Sequence, residues 1–344
     1  MSDLYARYIN LCQETGHLAG VSFELTNQCN YRCSHCYRVH GQRFLEPGHF
    51  RKALDEAESL GAIMVGFNGG EPTIHPLFFQ YAVSVLQRGM HLSVLSNGSG
   101  LTDEMLDALT RWRLGIHLQV SLYGTSPLSG EAITGVPDAF EATLARIFDL
   151  QTRGFDLRVS LLALEATAEG LPALIHGLRE REIHIGLIPQ ISVSENGSTI
   201  PLGLRAPDDH LLPLFAFEGD WDTKDPLEPT IELRSEDDSL ACNAGVTSLG
   251  IRADGSILPC LICTGPVLGN ISADTLESVL QGEARRRFLE TNVIPDNCRA
   301  CEVRRFCLRC PADAMFETGS LTGIPEESCR IAKLRAKFHI DSRK

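Results

Sequence analysis

The chain has 344 residues, 43% hydrophobic and 22% charged, with a formal net charge of −13. That length exceeds what one core usually serves, so two domains are expected. The acidic balance argues against nucleic acid as a partner, which would need basic patches against phosphate. No apolar, uncharged run approaches the roughly 18 residues of a membrane span, and Met1-Ser2-Asp3-Leu4-Tyr5-Ala6-Arg7 lacks the basic-then-apolar order of a signal peptide. No membrane partner is expected, and the expected location is cytoplasmic.

In that compartment clustered cysteines read as metal ligands or catalysts rather than disulfides. Of twelve, one is Cys12, three lie at 29–36, none at 37–241 and eight from Cys242 to Cys329, which implies two cysteine-bearing units. Cys12 reads as a small buried hydrophobe.

The first apolar run, 21–26, predicts a strand. It feeds Cys29-Asn30-Tyr31-Arg32-Cys33-Ser34-His35-Cys36-Tyr37, a C-x3-C-x2-C spacing. Three thiolates on one compact loop can hold three irons of a [4Fe–4S] cube and leave the fourth open; a zinc site with His35 as fourth ligand is the alternative. A helix follows over 47–60, where Phe50, Ala53, Leu54, Ala57 and Leu60 recur at helical spacing. The strand at 62–68 runs into Gly69-Gly70-Glu71-Pro72, whose glycines let backbone approach a ligand. Further helices are predicted at 76–88, 102–111 (capped by Thr102 with Asp103 and Glu104 in the first turn), 138–153 and 168–182. Strands are predicted at 91–96, 116–121, 157–163 and 184–189. This alternation predicts an α/β fold, a parallel sheet with helices outside it. Six units fit a partial (β/α)6 TIM-like barrel, with chemistry at the C-terminal strand ends.

The pattern breaks down over 191–239, rich in Gly, Pro, Ser, Asp and Glu, which reads as a connecting region. Beyond it a hairpin is predicted from 247–251 and 256–258, joined by Arg252-Ala253-Asp254-Gly255, then a helix over 275–289 and Cys298-x2-Cys301-x5-Cys307-x2-Cys310 with a lone Cys329. The expected organisation is an N-terminal extension at 1–20, the barrel at 21–190, the connection at 191–239, a small Cys-rich α+β domain at 240–335 and a tail at 336–344.

The first cysteine loop with Tyr37, and Gly69–Pro72 one strand later, resemble the signatures of the radical S-adenosylmethionine (SAM) enzymes. The resemblance implies that Cys29, Cys33 and Cys36 hold a [4Fe–4S] cluster that binds SAM. It further implies that Tyr37, Gly69, Gly70, Glu71 and Pro72 line the cofactor, with Ser96, Asn97, Ser121 and Pro189 at later strand ends. The acidic residue typical after such a serine is replaced by Tyr123. The implied reaction is reductive cleavage of SAM to a 5′-deoxyadenosyl radical, which removes a substrate hydrogen atom.

The C-terminal cysteines resemble the SPASM extension of the same superfamily. Cys242, Gly255-x4-Cys260, Cys298-x2-Cys301-x5-Cys307 and Cys329 fit, while Cys310 follows after two residues instead of three. Two auxiliary [4Fe–4S] clusters are implied: an inner one on Cys242, Cys260 and Cys310, and an outer one on Cys298, Cys301, Cys307 and Cys329. Cys263 is either the fourth inner ligand or a free thiol that donates a hydrogen atom to a substrate radical. Leu261 stands where the sulfatase-maturing kind carries an Asp base, which argues against that activity.

The segment from Cys307 to Gly323 resembles peptide maturases, so a ribosomally made peptide is the expected substrate, undergoing crosslinking, epimerisation or oxidation in natural-product biosynthesis. A small-molecule aminocyclitol or sugar dehydrogenase or epimerase is the alternative, and an iron–sulfur electron-transfer scaffold the non-enzyme one. Expected partners are an external one-electron reductant of flavodoxin or ferredoxin type and a separate leader-binding protein, since only about 20 residues precede the first strand. His75, His117, Tyr123, Glu165 and Arg158 fall near strand ends or facing positions and read as structural groups.

Overall fold

The computed structural model describes residues 2–218 and 241–341. Six strands run parallel in sequential order: β1 (Gly20–Thr26), β2 (Met64–Gly69), β3 (His91–Ser96), β4 (Ile116–Leu122), β5 (Asp156–Leu162) and β6 (His184–Ile188). Each lies within two residues of its predicted position, because alternation of large apolar side chains marks it. Val21, Phe23 and Leu25 are buried, as are Val65 and Phe67, Leu92 and Val94, and Leu157, Val159 and Leu161. Helices α2 (Pro47–Ser59) and α3 (Phe78–Gln87) cover that side: the Phe23 ring lies 4.9 Å from Phe50, and Phe50 stacks on Tyr81 at 3.9 Å. Helices α4 (Asp103–Leu109), α6 (Ala139–Thr152) and α7 (Leu171–Arg179) continue the outer layer. The fold is a partial α/β barrel, its inner wall carrying the more polar alternate residues such as Ser22, Asn68, Ser93 and Gln119.

The predicted C-terminal hairpin, β7 (Ser248–Ile251) and β8 (Ser256–Leu258), does not form a sheet of its own. β7 pairs in parallel with β1, from Gly20 opposite Ser248 to Phe23 opposite Ile251. β8 and β9 (Gly269–Asn270) extend the same sheet antiparallel, giving nine strands in the order β6-β5-β4-β3-β2-β1-β7-β8-β9. The pairing satisfies the open backbone edge of β1 and fixes the Cys-rich region against the strand that carries the first cysteine loop.

Other differences are local. The helix predicted over 275–289 is two, α9 (Leu276–Gln281) and α10 (Glu283–Thr291), because Gly282 is extended between them at φ −72, ψ 154. Helices α1 (Ser2–Thr15), α5 (Pro127–Thr134), α11 (Asp296–Arg299), α12 (Pro311–Thr318) and α13 (Glu326–Asp341) are additional. α5 is too short to show a period, but Ser126 caps it and Gly135 ends it at φ 68. Within the expected connection, a short α8 (Asp208–Leu211) lies between two 3-10 turns; residues 219–239 of that region lie outside the described residues, as does the end of the predicted tail. Among the described residues no helix is long and apolar enough to cross a membrane.

Candidate functional site

The C-terminal ends of the parallel strands converge on the loop after β1. Its backbone is pinned to the end of α5: the Arg32 and Ser34 N–H groups donate to the carbonyls of Thr134 and Ile133, each at 2.9 Å. Cys29, Cys33 and Cys36 stand close enough for each charge to act on the next. The Tyr31 N–H donates to Cys29 Sγ at 3.4 Å, and His40 Nε2 lies 3.5 Å from Cys36 Sγ. Burial, then the neighbouring acid and thiol, push Cys29 up to about 11. Burial disfavours the thiolate, and the positive charge of a bound metal centre would favour it. His35, the zinc alternative's fourth ligand, is held down to about 4 by burial; its ring lies 4.9 Å from Tyr123, and its Nδ1 is buried with no partner among the described residues.

Gly69 and Gly70 pass directly beneath this loop. The Gly70 N–H donates to the Thr26 carbonyl at 2.8 Å, and the Glu71 N–H to Gln28 at 2.9 Å. A Cβ on Gly69 would lie 2.2 Å from Thr26 O, and one on Gly70 2.2 Å from Gln28 O. Gly69 also holds φ at +150°, which few side chains tolerate. The next residue serves a different role from the glycines. Glu71 is 1% exposed, and its carboxylate accepts from the Thr73 N–H at 3.0 Å, Thr73 Oγ1 at 2.5 Å, Ser96 Oγ at 2.6 Å and the Asn97 N–H at 2.7 Å. Burial pushes this carboxyl up and the four donors pull it back. Asn97 in turn donates to Asn30 Oδ1 at 3.0 Å, beside Cys29. Glu71, Ser96 and Asn97 therefore form a brace that runs from β2 through β3 to the cysteine loop. Pro72 opens the short turn after Glu71, Ser121 lies on the inner wall at the end of β4, and Pro189 follows β6.

The eight C-terminal cysteines fall into two further sets. Cys242, Cys260, Cys263 and Cys310 act on one another's charge, as do Cys298, Cys301, Cys307 and Cys329. Cys263 belongs with the first of these. It is 3% exposed, its Sγ donates to the Gly265 carbonyl at 2.9 Å, its N–H donates to Cys260 Sγ at 3.3 Å, and burial pushes it up to about 12. Buried Asn292 braces the turn at Cys242, donating to its carbonyl at 2.8 Å. Cys12 is 2% exposed and stands apart, as expected. Among the described residues no three His, Cys, Asp or Glu side chains converge tightly enough to clasp a single ion.

Tyr37 stands between the first set and the second. Burial raises its phenol, and Cys36, Glu195, Cys260 and Asp313 add to that. Asp313 on α12 accepts from Ser192 Oγ and Gln190 Nε2, each at 2.8 Å, so it lies against the segment that leaves β6. Burial raises its carboxyl above the usual range.

Beside Tyr37 lies a buried ionic network absent from the sequence reading. Arg38 pairs with Glu24 on β1, and its guanidinium donates to the Leu261 carbonyl at 2.9 Å. Arg252, in the β7–β8 turn, reaches Glu24 at 3.5 Å and Glu195 at 3.4 Å, and Glu195 accepts from the Val39 N–H at 2.7 Å. Glu24 also accepts from the Ala253 N–H at 3.3 Å. A lone acid at an inward position of an apolar strand was the available signal. On the barrel's inner wall a cavity of about 330 Å³ is lined by Ser22, Gly66, Asn68, Ser93 and Leu95, with Ile9 of α1.

A family model described as the radical SAM superfamily matches residues 23–167, and one described as an iron–sulfur cluster-binding domain, SPASM, matches 242–302. The chain is similar to PqqA peptide cyclase of Ruegeria pomeroyi, at 28% identity over 309 residues, 81% of this chain and 78% of that protein. It is also similar to AdoMet-dependent heme synthase of Methanosarcina barkeri, at 24% identity over 332 residues, 87% and 93% of the two chains. Streptococcus suis SuiB, solved bound to precursor peptide SuiA, shares the fold with a TM-score of 0.68 at 14% identity, over 95% of this chain and 80% of SuiB.

Proposed function

We propose, for a chain that carries a radical SAM domain followed by a SPASM iron–sulfur domain, that it modifies a ribosomally made peptide at an unactivated C–H bond. The observation that carries this reading is the likeness to PqqA peptide cyclase, which covers 81% of this chain.

The residues fit the implied cofactors. Thiols gathered in sets of three, four and four suit one SAM-binding cluster on Cys29, Cys33 and Cys36 and two auxiliary clusters. Bound there, the first cluster would supply an electron to SAM, and SAM the radical that takes the substrate hydrogen. The chain supplies position and dryness. Gly69 and Gly70 offer bare backbone to the methionyl end of SAM. Glu71 acts through Ser96 and Asn97, which hold the loop at Asn30. Tyr37, Ser121 and Pro189 line the cofactor from the remaining strand ends.

Cys263 is read as the fourth ligand of the inner set, because its thiol is buried among Cys242, Cys260 and Cys310. Asp313 is read as the base for an oxidative outcome, since it is a carboxylate beside both Tyr37 and the inner thiols. Boundaries in 191–239, an external one-electron reductant and a separate leader-binding protein belong to the same proposal. Tetrapyrrole oxidation is the second reading, favoured by the likeness to the heme synthase.

The test is anaerobic incubation of reconstituted protein with SAM, dithionite and synthetic peptides encoded by any short reading frame found beside this gene. A peptide of altered mass or altered stereochemistry, formed with 5′-deoxyadenosine, supports the reading. An unmodified peptide together with turnover of an iron-porphyrin precursor replaces it with the second.

A further inference from the structure

The outer cysteine set lies at the surface, and the charge around it opposes that of the whole molecule. Cys301 is exposed. Between Asp296 and Cys310 the sequence carries Arg299, Arg304, Arg305 and Arg309 against Asp296 and Glu302, a local excess of two positive charges in a chain of net charge −13. Lys333 on α13 adds a cation beside Cys329, and Glu317 an acid.

Arg309 is turned inward onto the Leu321 and Gly323 carbonyls, and the remaining cations are displayed. Arg299 and Arg305 are exposed. The acid nearest Arg299 is the fully exposed Asp296 at 3.8 Å, too loose to neutralise it. The Arg299 Nε–H is anchored on the Ile294 carbonyl at 3.0 Å. The Arg305 guanidinium is held 4.7 Å over the Phe306 ring, and that ring stacks on His339 at 5.3 Å. Arg304, Arg305 and Lys333 form no ion pair among the described residues. The result is a basic rim around an exposed thiol.

We infer that this rim is the docking surface for an acidic one-electron carrier protein, which exchanges electrons with the chain at Cys301. The inference rests on reading the outer set as a cluster site. An acidic carrier is repelled by most of this surface and drawn to the rim, so the field both attracts and orients it. Redox encounters of this kind use small interfaces and turn over quickly, which a few arginines around an exposed cluster edge satisfy. The balance is simple: the carrier loses one electron, the outer cluster gains it, and no bond or proton moves.

The experiment is anaerobic stopped-flow reduction of the reconstituted enzyme by flavodoxin hydroquinone, with photoreduced 5-deazariboflavin as a small neutral control. In the unmodified enzyme the flavodoxin rate should fall steeply as salt rises, while the control rate stays flat. In R299E/R305E the flavodoxin rate should fall roughly 10- to 100-fold at low salt, with iron content and control rate unchanged. If that variant assembles poorly, R299Q/R305Q should show a smaller fall in the same direction. A flavodoxin rate that ignores both salt and these substitutions, in protein with full iron, overturns the docking surface. Absence of any reducible cluster beyond the SAM-binding one in unmodified protein overturns instead the cluster reading beneath it.

Discussion

Gly70→Ala attacks the contact on which the site's geometry depends. The added Cβ would lie 2.2 Å from Gln28 O, 2.4 Å from Gln28 C and 2.9 Å from Cys29 N. Relaxing the first contact to the roughly 3.3 Å that carbon and oxygen tolerate moves β2 and the cysteine loop apart by about 1 Å. The shift weakens the Gly70–Thr26 and Glu71–Gln28 hydrogen bonds, worth about 1 kcal/mol each, and adds overpacking of about 1–3 kcal/mol. Roughly 3–5 kcal/mol of stability is lost. A displacement of that size at a reacting centre also costs about 100-fold in rate. The assay is 5′-deoxyadenosine formation from SAM with dithionite, measured with iron content and a thermal melt. Gly48→Ala is the control, because nothing lies within 4 Å of its new Cβ, and it should leave both readouts unchanged. G70A protein that melts with the unmodified chain and cleaves SAM at its rate would refute the reasoning.

Four further outcomes are expected. Glu71→Gln replaces an acceptor oxygen with an N–H that faces donors, so thermal unfolding should shift by the equivalent of about 2–4 kcal/mol and SAM cleavage should fall with it. Arg38→Met leaves Glu24 buried with Arg252 at 3.5 Å as its remaining cation, and should cost about 3–5 kcal/mol of stability by denaturant unfolding. Cys263→Ala should lower iron content and broaden the auxiliary-cluster EPR signal, whereas unchanged iron with a lost epimer product would return Cys263 to the role of hydrogen donor. Cys301→Ala should leave SAM cleavage uncoupled from product, as seen by chromatography of both.

Legibility in the sequence followed physical range. The strands were readable because alternation is local: Val21, Phe23 and Leu25 declare a buried face without reference to anything distant. The cysteine sets stood out because their spacings within 29–36 and 298–310 are local features of the sequence. The pairing of β7 with β1 was not, since a four-residue strand such as Ser248–Ile251 carries no mark of its partner. The Glu24–Arg38–Arg252–Glu195 network was hidden for the same reason, with its members up to 228 residues apart in sequence (252 − 24). Glu71 stood out in the sequence, but the brace its carboxylate forms with Thr73, Ser96 and Asn97 did not, since those partners lie on a later turn and strand end. α5 was missed although it holds the cysteine loop, because eight residues with one capping serine display no helical period.

The central claim is that Cys29, Cys33 and Cys36 hold a cluster that splits SAM. Its most direct test is the yield of 5′-deoxyadenosine when anaerobically reconstituted protein meets SAM and dithionite. The account predicts turnover in the unmodified chain, carrying about twelve irons for three four-iron clusters, and none once any of those three cysteines is alanine. Tetrahedral zinc at that loop, with no iron and no 5′-deoxyadenosine, would contradict it.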